Sequence, residues 1–78
     1  MAKPPPPVEL KRRIGQAIQG LRQDLGISQE ELAGRADVHR TYLGDIERGN
    51  RNPALINICR IAAALEVKPS ELFRRMGL

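Results

Sequence analysis

The stretch from Ser28 to Arg48, SQEELAGRADVHRTYLGDIER, leaves a chain of this size few folds to choose from, because it divides into two short amphipathic helices with almost no linker between them. Ser28 followed three residues later by Glu31 is a capping-box signature, so a helix starts at Gln29 and carries Leu32 and Ala36 on one face. Asp37 stands where that helix must reverse. Aspartate tolerates a left-handed backbone better than most non-glycine residues, which makes the turn short. From His39 the helical pattern resumes, with Val38, Leu43 and Ile46 apolar, while His39, Arg40, Thr41, Gly44, Asp45 and Arg48 fall away from that face. Gly49 supplies the C-terminal stop.

Residues Ile27 to Pro53 resemble the XRE or lambda-repressor-like family of helix-turn-helix proteins. The resemblance is carried by Gln29 opening the first helix, Ala33 where the two helices cross, RTYL from Arg40 to Leu43, IERG from Ile46 to Gly49, and RNP from Arg51 to Pro53. It implies an all-α fold, a compact five-helix DNA-binding domain over residues 8–78 with its helix-turn-helix at 28–48, behind a proline-rich flexible arm at 1–7. Two positions depart from the family pattern: Asp37 replaces the usual Gly, and Ala54 stands where a Ser or Thr cap is common, a loss of about 1 kcal/mol. In size and in the RTY run the chain is similar to controller proteins of restriction-modification systems and to phage repressors.

Seventy-eight residues make one domain with one modest core, which leaves no room for a separate sensor or catalytic domain. The net charge of +4 suits a polyanionic partner, yet residues 28 to 52 hold five acids (Glu30, Glu31, Asp37, Asp45, Glu47) against four arginines. Attraction to DNA therefore has to come from locally placed groups such as Arg40, Arg48 and Arg51, with Glu30, Glu31 and Glu47 turned elsewhere. A single cysteine, Cys59, excludes an internal disulfide, and no paired spacing suggests zinc or another metal. Its place in an apolar run reads as a buried thiol. No membrane span or signal peptide is visible, so a cytoplasmic location is expected, with no cofactor and no small-molecule effector.

Four consecutive prolines, Pro4 to Pro7, favour an extended arm. A first helix follows from about Val8 to Leu25, with Ile14, Ile18, Leu21 and Leu25 as its core stripe and Gly26 as its stop. Gly15 and Gly20 each weaken it by roughly 1 kcal/mol relative to Ala, so packing must hold it. Lys11, Arg12 and Arg13 on its polar side form either a solvated face or a DNA-backbone contact. Asn50 to Asn52 form a polar loop, and Pro53 begins a fourth helix. Its apolar run, Leu55 to Leu65, is broader than one core-facing stripe needs. Lys68-Pro69 starts a last helix through Met76, with Glu71 near its start and Arg74 and Arg75 near its end, both favourable to the helix dipole. The family commonly dimerises through this region, and the surplus apolar surface points the same way, placing Ile56, Leu65, Leu72, Phe73 and Met76 in a homodimer interface. The competing reading is that a five-helix core absorbs them.

By resemblance, the helix from about Val38 to Arg48 reads the major groove of double-stranded DNA while the helix from Gln29 to Ala36 rests across the backbone. Base-reading residues are then His39, Arg40, Thr41, Gly44 and Asp45. Arg40 can fork two donors onto guanine, or else contact a phosphate, and Gly44 leaves backbone bare near the bases. Asp45 has three readings left open: an acceptor from cytosine, a group rejecting wrong sequences, or a partner for Arg48. Backbone contacts fall to Gln29, Tyr42, Arg48, Asn50, Arg51 and Asn52, with Tyr42 either packing at the helix junction or reaching a phosphate. An enzyme is rejected: the lone Cys and lone His lie on different helices, and no phosphate-cradling loop is present. The expected function is a sequence-specific transcriptional regulator, a homodimeric repressor or autoregulator on a partly palindromic operator. The competitor is an antitoxin-like or adaptor module of the same fold that binds protein through its apolar fourth and fifth helices.

Overall fold

A computed structural model of the chain describes residues 3–78; Met1 and Ala2, the start of the expected arm, lie outside the described residues. Five helices follow in order: α1 (Pro7–Asp24), α2 (Gln29–Ala36), α3 (Arg40–Glu47), α4 (Leu55–Ala64) and α5 (Pro69–Arg75). Pro7, assigned to the arm from the sequence, is the first residue of α1, where its missing N–H costs no hydrogen bond. None of these helices is long and apolar enough to cross a membrane.

Local signals set the ends. After α1, Gly26 takes φ +70° and its N–H meets the Gln23 carbonyl at 2.9 Å, while Ile27 donates to the Arg22 carbonyl at 3.3 Å. Leu25 is the C-cap of α1 rather than part of its stripe, so it is exposed, and the expectation that it packs in the core is corrected. Leu25 keeps the spacing of the stripe, but the helix ends at Asp24 and the chain turns away from the core there. At α2, the Ser28 hydroxyl accepts from the Glu31 N–H at 3.0 Å. The reciprocal half of a capping box is not made, because the Glu31 carboxylate accepts from Arg35 one turn on. Asp37 sits at φ 57°, ψ 47°, the left-handed turn that lets α3 follow at once.

The core gathers Ile14, Ile18 and Leu21 of α1, Leu32 of α2, Leu43 and Ile46 of α3, Ile61 of α4 and Leu72 of α5, each contributing about 1.5 to 3 kcal/mol on burial. Helix α1 lies across α3 and α5, and α2 packs on α3 and α4. Gly15 makes the first of these crossings possible: a Cβ there would stand 2.3 Å from the Ile46 carbonyl oxygen and 2.8 Å from that of Glu47. The cost assigned to it as a helix weakener is thus offset by the close approach of α3.

Three residues expected at a dimer interface are interior. Leu65, Leu72 and Met76 are buried within this single chain, so they cannot face a partner. The remaining two, Ile56 and Phe73, are exposed, 67% and 36% of their surface respectively. The surplus apolar run of α4 divides: Ile61, Ala62 and Leu65 turn inward, while Leu55, Ile56 and Cys59 turn out. Cys59 is exposed, which corrects the buried-thiol expectation. It shares the outward stripe because it lies four residues after Leu55 and three after Ile56.

Candidate nucleic-acid interface

Helix α3 owes its position to a polar group on its apolar side. Glu47 lies four residues after Leu43, on the same face, and its carboxylate is buried. Arg22 of α1 meets it with two parallel hydrogen bonds, Nε to Oε2 at 2.8 Å and Nη2 to Oε1 at 2.9 Å, and Gln29 of α2 donates to Oε1 at 3.0 Å. A third Arg22 donor reaches the Ile27 carbonyl at 2.9 Å, between α1 and α2. The Glu47 hydrogen bonds raise the Arg22 pKa above its ordinary value. One carboxylate thereby ties three helices together, and every donor that meets it is charged or an amide, as a buried ion requires. Sequence reading placed Glu47 among acids turned away from the outer face and gave Arg22 no role. An acid at helical spacing from Leu43 was the available signal that a buried cation must exist.

Gln29 was expected to give its amide to a phosphate. One of its two amide protons is already committed to Glu47, so that contact falls to the other, beside the open N-terminus of α2. Gly44 also differs from expectation. It is buried, and a Cβ built there would lie 3.3 Å from Nη1 of Arg48 and 3.6 Å from Oε1 of Gln29. Its backbone is covered by those two side chains, not bare.

The outward side of α3 carries His39 at its N-cap position, then Arg40, Thr41, Asp45 and Arg48. Arg40 is exposed, and among the described residues no hydrogen bond or ion pair engages its guanidinium. Asp45 accepts from Arg48 and, at 3.4 Å, from Arg51; of its three readings, pairing with Arg48 is the one present. Arg51 also stacks over the Tyr42 ring, 5.1 Å from its centroid. Asn50 and Asn52 are exposed on the same loop.

Tyr42 does not point its hydroxyl oxygen at open solvent. That oxygen accepts from the Ala54 N–H at 3.3 Å and the Asn57 amide at 3.1 Å, joining α3 to the start of α4. Ala54 has no capping side chain of its own, and this tyrosine takes over part of that task.

Charges are thus sorted by position. Glu47 is inside and matched by Arg22, Glu31 pairs with Arg35, and Asp45 is shared by two arginines. What α3 and its following loop present outward is Arg40, Arg48 and Arg51 against Asp45 alone, a basic surface within an acidic segment. Behind it, Arg12 and Arg13 are held by Glu9, and Arg13 also donates to the Met76 carbonyl at 2.9 Å, closing the end of α5. Arg13 thereby links α1 to α5, while Arg12 is held within its own helix by Glu9 and Gln16.

Comparison with known proteins identifies the family and the fold. A family model described as helix-turn-helix matches residues 18–72. Control protein C.BamHI of Bacillus amyloliquefaciens is 49% identical over 60 residues, 76% of this chain and 74% of that protein. Among solved structures, the restriction-modification controller protein C.AhdI from Aeromonas hydrophila superimposes with a TM-score of 0.79 at 44% identity, covering 81% of this chain and 96% of that one. The controller protein C.Esp1396I superimposes at 0.81 with 30% identity over 86% of this chain and 85% of its own. Its solved forms include substitutions at three consecutive positions, an arginine, a threonine and a tyrosine, the order found here in Arg40, Thr41 and Tyr42.

Proposed function

This chain belongs to the helix-turn-helix (XRE-type) family of transcriptional regulators, and from that premise we propose that it binds a partly palindromic DNA operator as a homodimer and represses or autoregulates transcription. The observation that carries the reading is that Glu47 is buried against Arg22 and Asp45, the one acid on the outer face of α3, is neutralised by Arg48 and Arg51, while among the described residues Arg40 is engaged by no hydrogen bond or ion pair. In this reading Arg40 and Thr41 meet base edges, with His39 beside them, while Asp45 holds Arg48 and Arg51 ready at the rim. The second amide proton of Gln29 and the loop Asn50 to Asn52 lie against the backbone, one on each side of the groove. Tyr42 fixes α4 and keeps only its own hydroxyl proton for a phosphate.

Residues 8–78 act as a single DNA-binding unit, and its role is binding, not catalysis. The outward stripe of Leu55 and Ile56, with Phe73, supports self-association through α4 and α5. With no effector domain assigned, protein concentration and dimerisation are the control variables, in the cytoplasm where the DNA lies.

Selection from a randomised duplex pool tests the reading. Recovery of two half-sites with strong discrimination over a scrambled duplex is the expected result. No enrichment, with only weak salt-sensitive binding, overturns it and directs attention to α4 and α5 as a protein-binding surface.

A further inference from the structure

We propose that the hollow on the α4 side of α3 seats a phosphate of the DNA backbone, with Arg60 as its principal donor; the inference rests on the DNA-binding reading above. Two phosphate ladders border a major groove about 12 Å wide, so a helix lying in it has one on each flank. On one flank of α3, Gln29 packs beside Gly44 at the start of α2. The opposite flank opens into a hollow of about 470 Å³ formed where α3, the Arg51 loop and α4 meet.

Donors converge on this hollow. His39 and Thr41 line it from α3, Arg51 from the loop, and Asn57 and Arg60 from α4. Two of these are already occupied: Arg51 is turned to Asp45 and stacked on Tyr42, and the Asn57 amide is given to the Tyr42 oxygen. Arg60 is different. It is exposed, and among the described residues it makes no hydrogen bond or ion pair; Asp37, the acid on the rim, does not pair with it. A planar guanidinium matches two phosphate oxygens at once, and the Tyr42 hydroxyl proton and the Thr41 hydroxyl can complete the shell. Arg60 stands inside the apolar run of α4, between Cys59 and Ile61, where hydropathy alone does not single it out.

Titration of the wild type, Arg60→Gln and Arg60→Lys against the selected operator and a scrambled duplex of equal length, between about 50 and 200 mM salt, tests the seat. Arg60→Gln is expected to weaken both duplexes by the same factor, about tenfold, and to lower the log–log salt slope by about 1, while Arg60→Lys keeps the slope. Unchanged affinity and slope in Arg60→Gln overturn the seat and leave the DNA reading standing. Loss on the operator alone makes Arg60 a base contact and overturns it too, as does a changed sedimenting mass, which would place its effect in self-association. A wild type that binds neither duplex overturns the functional reading and the seat together.

Discussion

Helices α3 and α4 bury apolar stripes in the same core, Leu43 and Ile46 on one, Ile61, Ala62 and Leu65 on the other, yet their outward faces are opposite in chemistry. On α3 the outward residues are Arg40, Thr41, Asp45 and Arg48, rich in donors; on α4 they begin with Leu55, Ile56 and Cys59. The inner faces build one fold, and the outer faces divide its work between a polar partner and an apolar one. Their inner faces differ as well. Core-side α3 contains Glu47, whose ion pair with Arg22 fixes a direction, whereas the core side of α4 is wholly apolar and its directional contacts are the Tyr42 hydrogen bonds at its start.

Removing the directional contact should have the largest effect. Arg22→Ala leaves Glu47 buried with only the Gln29 amide and is expected to cost about 3 kcal/mol, read as a lower midpoint in urea unfolding; a loss under about 1 would mean the pair does not hold α3. The outer faces should separate cleanly. Arg40→Ala is expected to lose about 1 to 3 kcal/mol of discrimination at particular base pairs with the monomer's stability and self-association intact. Ile56→Glu should do the reverse, raising the dimer dissociation constant tenfold or more, about 1.4 kcal/mol, by sedimentation, because a carboxylate replaces an exposed apolar group that association would bury, while the helix dipole accepts the acid in the first turn of α4 and keeps the monomer folded. If both variants impair both properties equally, the division between the faces is wrong.

Smaller effects sharpen the same contrast. Ala54→Ser supplies the side-chain cap that α4 lacks and should raise stability by about 0.5 to 1 kcal/mol in thermal unfolding, provided Tyr42 keeps its bond to the Ala54 N–H. The smallest effect lies at the start of α1. Hydrogen bonds from Arg12 and then Arg13 hold Glu9 at about 2, down from 4.5. A carboxylate so depressed stabilises the fold above its unfolded pKa and loses that contribution as pH falls through the folded one, here between pH 4.5 and about 2. Glu9→Gln should therefore flatten the acid limb of the stability curve in that window and leave stability above it nearly pH-independent at this site; an unchanged acid limb would show that the group does not contribute.

Much of the architecture was legible because it depends on neighbours within a turn. Ser28 caps its own helix, Gly26 and Asp37 take the left-handed conformations that end helices, and Pro69 opens α5, whatever the rest of the chain does. Glu66 escaped the same reasoning: it holds φ 63° after α4 although nothing in its type announces a left-handed turn. Of the candidate site, the outward placement of Arg40, Thr41 and Arg48 followed from helical spacing. The covered Gly44, the occupied Tyr42 oxygen and the shared Gln29 amide did not, since each involves a side chain from another turn or helix.

The sequence by itself determined five helices, the Ser28 cap, the Gly26 stop, the tight turn at Asp37 between α2 and α3, and the family to which the pattern belongs, because those features are set by local backbone preference and short-range periodicity. Tertiary structure alone decided which apolar residues were left over. Leu65, Leu72 and Met76 went inward while Ile56 and Phe73 stayed out, because hydropathy says that a residue prefers burial but not which partner has room for it. It also decided that Glu47 would meet Arg22, two residues 25 positions apart, since the desolvation of a buried charge is answered only by whatever the folded chain brings within hydrogen-bonding distance.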